Sequence, residues 1–265
     1  MSAGGSAVQT RAARQIRPWP AERRFYSLFS LAIFATVLLG FARTFYLRAW
    51  FPEWASLHAP AEPIFYVHGG LLTAWLMLLV LQAWLIGARR ADLHRRIGVF
   101  GTGLAALAFV VGLVAMLVAA GRPTGFIDIT EPPLEFLAGV LADLLCFGAF
   151  VWLAIFNRRN AQAHKRFMIL AALSFVGTAV ARWPFELMIV ELPAVGLTVM
   201  DLIGYLFLLP LALWDLASRR RLHAVTLWGS VAFLAIHEVA AWVSKSAAWL
   251  AVAKWAVGSV GAVFR

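Results

Sequence analysis

Charge is what this 265-residue sequence has least of: 14% of its residues are charged against 62% hydrophobic, and its mean hydropathy is +0.81. A soluble domain carries about one quarter charged and about one half apolar residues, so a water-soluble globule is excluded. Cysteine occurs once, at Cys146, which rules out an intramolecular disulfide and says nothing about compartment. Acidic residues are scarce beside basic ones, 13 against 23. The six histidines include no HExxH or HxxxH pair, the spacings that place metal ligands on one helical face.

What is present is a series of long apolar runs. A helix needs about 20 residues to cross a hydrocarbon core of ~30 Å. Seven runs qualify, at 26–47, 63–87, 97–120, 134–156, 167–189, 196–217 and 224–244. Lipid offers the backbone no partner, so these runs are expected to be helices, and the fold class is an all-α polytopic transmembrane bundle. Pro184 and Pro210 are expected to bend the fifth and sixth helices, freeing the carbonyls of Val180 and Leu206. Residues 1–25 read as a flexible basic tail, 26–244 as the seven-helix domain, and 245–265 as an interfacial amphipathic helix or an eighth span. The first apolar run lacks a clear small-residue cleavage site, so a cleavable signal is not expected.

The +10 net charge is unevenly placed. The N-terminal segment, "RRADLHRR" (89–96), "RRNAQAHKR" (158–166) and "RRRLH" (219–223) hold most of the basic residues, whereas the alternate loops at 51–63, 122–133 and 191–196 are acidic or neutral. Lysine and arginine near helix ends are retained on the cytoplasmic side, so seven crossings from a cytoplasmic N-terminus follow. The charge is therefore a topology signal, and nucleic acid is not an expected partner.

Ionisable residues inside spans are costly and demand a reason. Arg43, His68, Arg182, Glu186, Asp201, His237 and Glu238 gather toward the non-cytoplasmic leaflet, with Asp143 near the midplane. Three readings compete. The residues form structural ion pairs with inert histidines. His68 and His237 are axial ligands of one b-type haem whose propionates meet Arg43 or Arg182. Or His68, Asp143, Asp201 and Glu238 line a pocket that binds a metal or moves protons in a transporter or non-redox membrane enzyme.

The cytoplasmic turns carry their own alternatives. Arg89, Arg90, His94, Arg95, Arg158, Arg159, His164, Arg166, Arg219, Arg220 and His223 form either a crown for an anionic lipid head group, a prenyl phosphate or a quinone head, or a retention signal whose histidines satisfy helix ends. Trp75 and Gln82 read as bundle packing on the second helix.

The run "FYVHGG" through "AWLMLLVLQAWL" to "RRADLHRRIG", followed by "HKRFMILAAL" and "LWDLASRRRLHAVTLWG", resembles a family of bacterial multi-pass inner-membrane proteins in which a His-Gly, a Gln and a His-Arg..Gly recur across two helices. The resemblance covers most of helices two to seven. It implies a bacterial cytoplasmic membrane and a helical bundle, and brings no assigned activity. The first half also looks like di-haem cytochrome b bundles. A second ligand pair at the inner depth is missing there, because His94, His164 and His223 fall in loops or at helix ends, which leaves at most one outer haem.

Overall fold

The computed structural model describes residues 20–52, 62–126, 129, 131–183, 191–192 and 197–261. Ten α-helices follow one another among them: α1 (Pro20–Gly40), α2 (Pro63–Gly87), α3 (Ala91–Ala120), α4 (Pro133–Phe156), α5 (Ala161–Leu173), α6 (Val176–Val180), α7 (Val199–Leu206), α8 (Leu209–Arg219), α9 (Ala224–Ser244) and α10 (Ala247–Gly261). A π-helical turn (Ala42–Tyr46) and a 3-10 turn (Arg48–Trp50) extend α1. The extended elements described are two residues each, Glu191 pairing with Thr198 and Leu192 with Leu197 in antiparallel register.

The bundle is all-α, and seven segments are long and apolar enough to cross a membrane, taking α5–α6 as one and most of α7–α8 as another. The second and seventh expected spans, 63–87 and 224–244, coincide with α2 and α9. Three helices begin about six residues before their apolar runs, because their first turns are polar: α1 at Pro20, α3 at Ala91 and α5 at Ala161. Hydropathy marks where a helix enters lipid, whereas capping marks where it begins. Asn160 caps α5 by accepting from the N–H groups of Gln162 (3.1 Å) and Ala163 (3.2 Å), and Pro63 and Pro133 occupy first turns where a missing N–H costs nothing.

The sixth span breaks at Phe207–Leu208, and Pro210 sits in the first turn of α8, where its missing N–H, which would otherwise donate to the Leu206 carbonyl, costs no helical bond. Pro184 lies outside the described residues, but the Val180 carbonyl four residues before it accepts from the N–H of Trp183 (3.0 Å). The α10 helix has 15 residues, or roughly 22 Å at 1.5 Å per residue, short of a full crossing. It packs against α3 and α4, with Trp249 Nε1 donating to the Leu134 carbonyl (2.7 Å).

Helices α1 to α5 close a ring in which each packs on the next and α1 returns to α5 and α6. The α5–α6 span is the most enclosed, 61% buried against 17% for α2 and α9, so it is the axis of the bundle. Trp75, Phe147 and Phe175 meet at its centre, the first two edge to face at 4.9 Å. The expected core role of Trp75 agrees with its 2% exposure. Close approach needs small residues. A Cβ on Gly40 would overlap the Ala179 carbonyl, and one on Gly204 would sit 3.5 Å from the Gly177 Cα, so α1 and α7 both press backbone to backbone on α6. Outside, Phe100, Trp228, Trp242 and Trp255 are exposed, as lipid-facing surface is.

The first turns of α1, α5 and α9 and the last turn of α8 meet at one end of the bundle, with the α2–α3 turn beside them. Here this is the basic end. Two of its turns hold an arginine in the left-handed region, Arg89 (φ 63°) and Arg220 (φ 55°), where glycine is the usual helix terminator.

Candidate functional site

Two polar centres emerge. The first lies inside the bundle, where α9 brings His237 to Asp143 of α4, Nε2 to Oδ1 at 2.9 Å. Asp143 sits ten residues into α4 and His237 seven from the end of α9, so the pair is about 10–15 Å inside the helices. The other carboxylate oxygen accepts from Thr178 Oγ1 of α6 (2.8 Å), and Arg182 Nη1 donates to the Thr178 carbonyl (2.7 Å). His237 Nδ1 lies 2.8 Å from the Phe233 carbonyl oxygen, which can only accept, so Nδ1 carries a hydrogen. One more proton then occupies the Nε2–Oδ1 bond. Imidazolium with carboxylate and imidazole with carboxylic acid are two forms of the same neutral unit. Its side chains keep 17% and 20% of their surface exposed, so it is not sealed.

Of the residues expected beside it, His68 has a different setting. Its ring lies where a Cβ on Gly112 of α3 would touch it, 3.3 Å from Cε1, and its buried Nδ1 has no partner among the described residues. His68 and His237 thus engage different neighbours, and both nitrogens of His237 already have protein partners. Arg43 is half-buried in the π-turn, Arg182 stacks over Phe41 at 5.0 Å, and Glu238 is exposed on α9. Glu186 and the side chain of Asp201 lie outside the described residues. An apolar groove of about 520 Å³ opens between α4, α9 and α10, lined by Ala138, Leu145, Ala232 and Val239. At ~100° per residue these face away from Asp143 and His237, so the groove is separate from the pair.

The second centre is at the basic end. Arg166 and Asp215 are fully buried and joined as a fork, Nε to Oδ2 at 3.3 Å and Nη2 to Oδ1. Arg166 Nη1 also donates to the Gln162 carbonyl (2.8 Å) and side-chain oxygen (2.7 Å). Asp215 accepts from the His223 N–H (3.0 Å) and the Thr226 hydroxyl. Every charge is matched, and α5, α8 and α9 are tied together. Beside it Glu22 of α1 pairs with Lys165 and accepts from Gln162 (3.2 Å). Arg166, expected in an outward crown, therefore points inward. Asp215, Gln162, Thr226 and Thr178 were not singled out from the sequence. Asp215 had a signal, being an acid inside an apolar span four residues before the Arg219–Arg221 run; the two threonines had none.

The three histidines of the turns all serve helix ends. His164 Nδ1 lies 2.8 Å from the Ala154 carbonyl in the last turn of α4, and His94 Nδ1 3.3 Å from the Gln82 carbonyl of α2. His223 caps α9, its Nδ1 accepting from the Val225 N–H at 3.1 Å. Burial, then the nearby Arg166 and Arg219 cations, hold His223 below the usual imidazole range, consistent with a neutral accepting nitrogen. The exposed arginines Arg89, Arg90, Arg95, Arg158, Arg159, Arg219 and Arg220 surround these turns.

Two outcomes are expected. Asp215→Ala leaves Arg166 as an unpaired buried cation and should cost about 3–5 kcal/mol, read as a large fall in apparent Tm in detergent. Arg166→Met with Asp215→Leu should recover most of that loss; a double variant as unstable as the single one would contradict the pairing. For His223, the folded value is depressed, so its contribution is complete above the unfolded value near ~6.5 and is lost as pH falls through the folded value. His223→Asn keeps a cap without a titrating ring, so its apparent Tm should fall less between pH 8 and pH 5 than that of the native protein; equal slopes would contradict this role.

No family model, no curated protein and no solved structure matches the chain.

Proposed function

We propose that this is a proton-coupled integral protein of the bacterial cytoplasmic membrane, a transporter or a non-redox membrane enzyme whose working element is the His237–Asp143 pair. The supporting observation is that pair itself: two titratable side chains inside a span, from different helices, hold one proton between them. A carboxylate placed only for stability needs one fixed counter-charge. This one is bound instead to a group that exchanges protons near neutral pH in its ordinary state. Thr178 and Arg182 connect the pair to α6, so movement of the α5–α6 span is felt by the proton.

Orientation follows from the basic end. Arg89, Arg90, Arg95, Arg96, Arg158, Arg159 and Arg219 to Arg221 cluster there, and positive-inside retention puts that end and the N-terminus in the cytoplasm. The His237–Asp143 pair then lies toward the outer leaflet.

A redox reading is favoured by one observation, the buried Nδ1 of His68, which has no partner among the described residues and suits a ligand to a b-type haem. His237 would complete that ligation only by releasing Asp143.

The test is proton flux. Proteoliposomes holding a pH-sensitive dye, subjected to a potassium diffusion potential, should acidify faster than empty vesicles. Asp143→Asn preserves shape while removing the exchangeable acid, and should return the rate to that of empty vesicles. Equal rates for native protein, variant and empty vesicles would overturn the proposal.

A further inference from the structure

We propose that the apolar groove between α4, α9 and α10 is a binding site for one anionic phospholipid of the surrounding bilayer, with an acyl chain in the groove and the phosphate at Lys245. The site is separate from the His237–Asp143 pair and stands whether or not that pair moves protons.

The groove follows from residue size at helical spacing. Its lining runs along α4 from Ala138 to Leu145 and along α9 from Ala232 to Val243, at intervals of three and four that keep each set on one helical face. Half of these residues are alanine, so a slot remains where longer side chains would close it. Ala232, Ala235 and Val239 are exposed, which leaves the slot open along its side. Trp249 of α10 stands at one end, fixed by Nε1 donating to the Leu134 carbonyl (2.7 Å) and by its main-chain N–H donating to Ser246 Oγ (3.2 Å).

Dimensions select the occupant. From Ala232 to Val243 the groove follows α9 for about 16 Å, at 1.5 Å per residue, and one leaflet of a ~30 Å hydrocarbon core is about 15 Å deep. A volume of about 520 Å³ over that length gives a mean cross-section of about 30 Å². A helix about 10–12 Å across needs about 80–110 Å², so a helix of a second copy does not enter, whereas a single hydrocarbon chain, one methylene wide, does.

The lining is apolar throughout, so a head group finds its partners beyond it. Leu145 and Ala232 end the groove in mid-span; at the other end Val243 leads into the α9–α10 turn, where Lys245 is exposed. Lys245 and Lys254 stand at the end of the bundle opposite the arginine-rich turns, so the retention that accounts for those turns does not account for these lysines. Neither is ion-paired among the described residues. A cation at the mouth of a leaflet-deep apolar slot complements a phosphate joined to an acyl chain, and the positive end of the α10 dipole lies in the same turn.

The experiment is native mass spectrometry of the full-length protein, delipidated in detergent and titrated separately with phosphatidylglycerol, with phosphatidylcholine of the same chains, and with palmitate. One phosphatidylglycerol should bind per chain, more tightly than either of the others. Ala235→Phe puts a ring into the slot from an exposed position and should weaken both phospholipids about tenfold or more. Val110→Phe, on an exposed face of α3, should change neither. Lys245→Gln should weaken phosphatidylglycerol about fivefold and leave phosphatidylcholine unchanged, which abolishes the preference. Apparent Tm and elution volume check that each variant is folded; Ala232→Phe and Lys245→Gln decide if Ala235→Phe fails that check. Equal binding by native protein, Ala235→Phe and Val110→Phe would overturn the site, as would a preference that survives Lys245→Gln. Tighter binding of palmitate than of phosphatidylglycerol, or a dimer that Ala235→Phe dissociates, would overturn it in favour of another occupant.

Discussion

Hydrocarbon cannot hydrogen-bond, and that constraint governs every polar contact in this bundle. A charge that enters lipid must bring its partner with it. The Arg166–Asp215 fork meets the requirement most fully: both side chains are completely enclosed, and the remaining capacity of each is taken by Gln162, Thr226 and the His223 N–H. Because those partners belong to α5, α8 and α9, meeting the constraint also fixes how three helices meet. The charges stabilise the arrangement less by their attraction than by the cost of any arrangement that separates them.

The same rule is satisfied in a second way deeper in the bundle. At the basic end, matched charge is locked by many donors and has no freedom. Deeper in the bundle, His237 and Asp143 satisfy each other through a bond whose proton can belong to either side, with net charge zero in both forms. Transfer of that proton from one partner to the other leaves no net charge facing lipid. The two polar centres thus lie at different depths, the fork at the basic end and the His237–Asp143 pair inside the bundle, with the α5–α6 span touching both.

Much of the fold was legible in the sequence, because apolar length and positive charge are one-dimensional signals. Two spans agree with their helices end to end, and the break at Pro210 follows from its missing donor. Polar first turns were not legible, since capping by Asn160 lies outside any hydropathy window. The candidate site was legible as an inventory and not as pairs. Asp143 and His237 are 94 positions apart and were placed at different depths, so nothing in their spacing joins them. Arg166 resembled its exposed neighbours until the helical register turned it onto Asp215. His94 and His164 read as residues of separate loops; first-turn positions in adjacent hairpins bring their rings to 6.3 Å.

The most direct measurement is the nitrogen-15 spectrum of His237 in membrane-embedded protein, with and without Asp143→Asn. The account predicts that Nδ1 is protonated throughout, that Nε2 carries the signature of a strong bond to a carboxyl group, and that only the Nε2 signal moves to an ordinary neutral value in the variant. An Nε2 signal unaffected by Asp143→Asn would contradict the shared proton, and with it the reading of this pair as the working element of the protein.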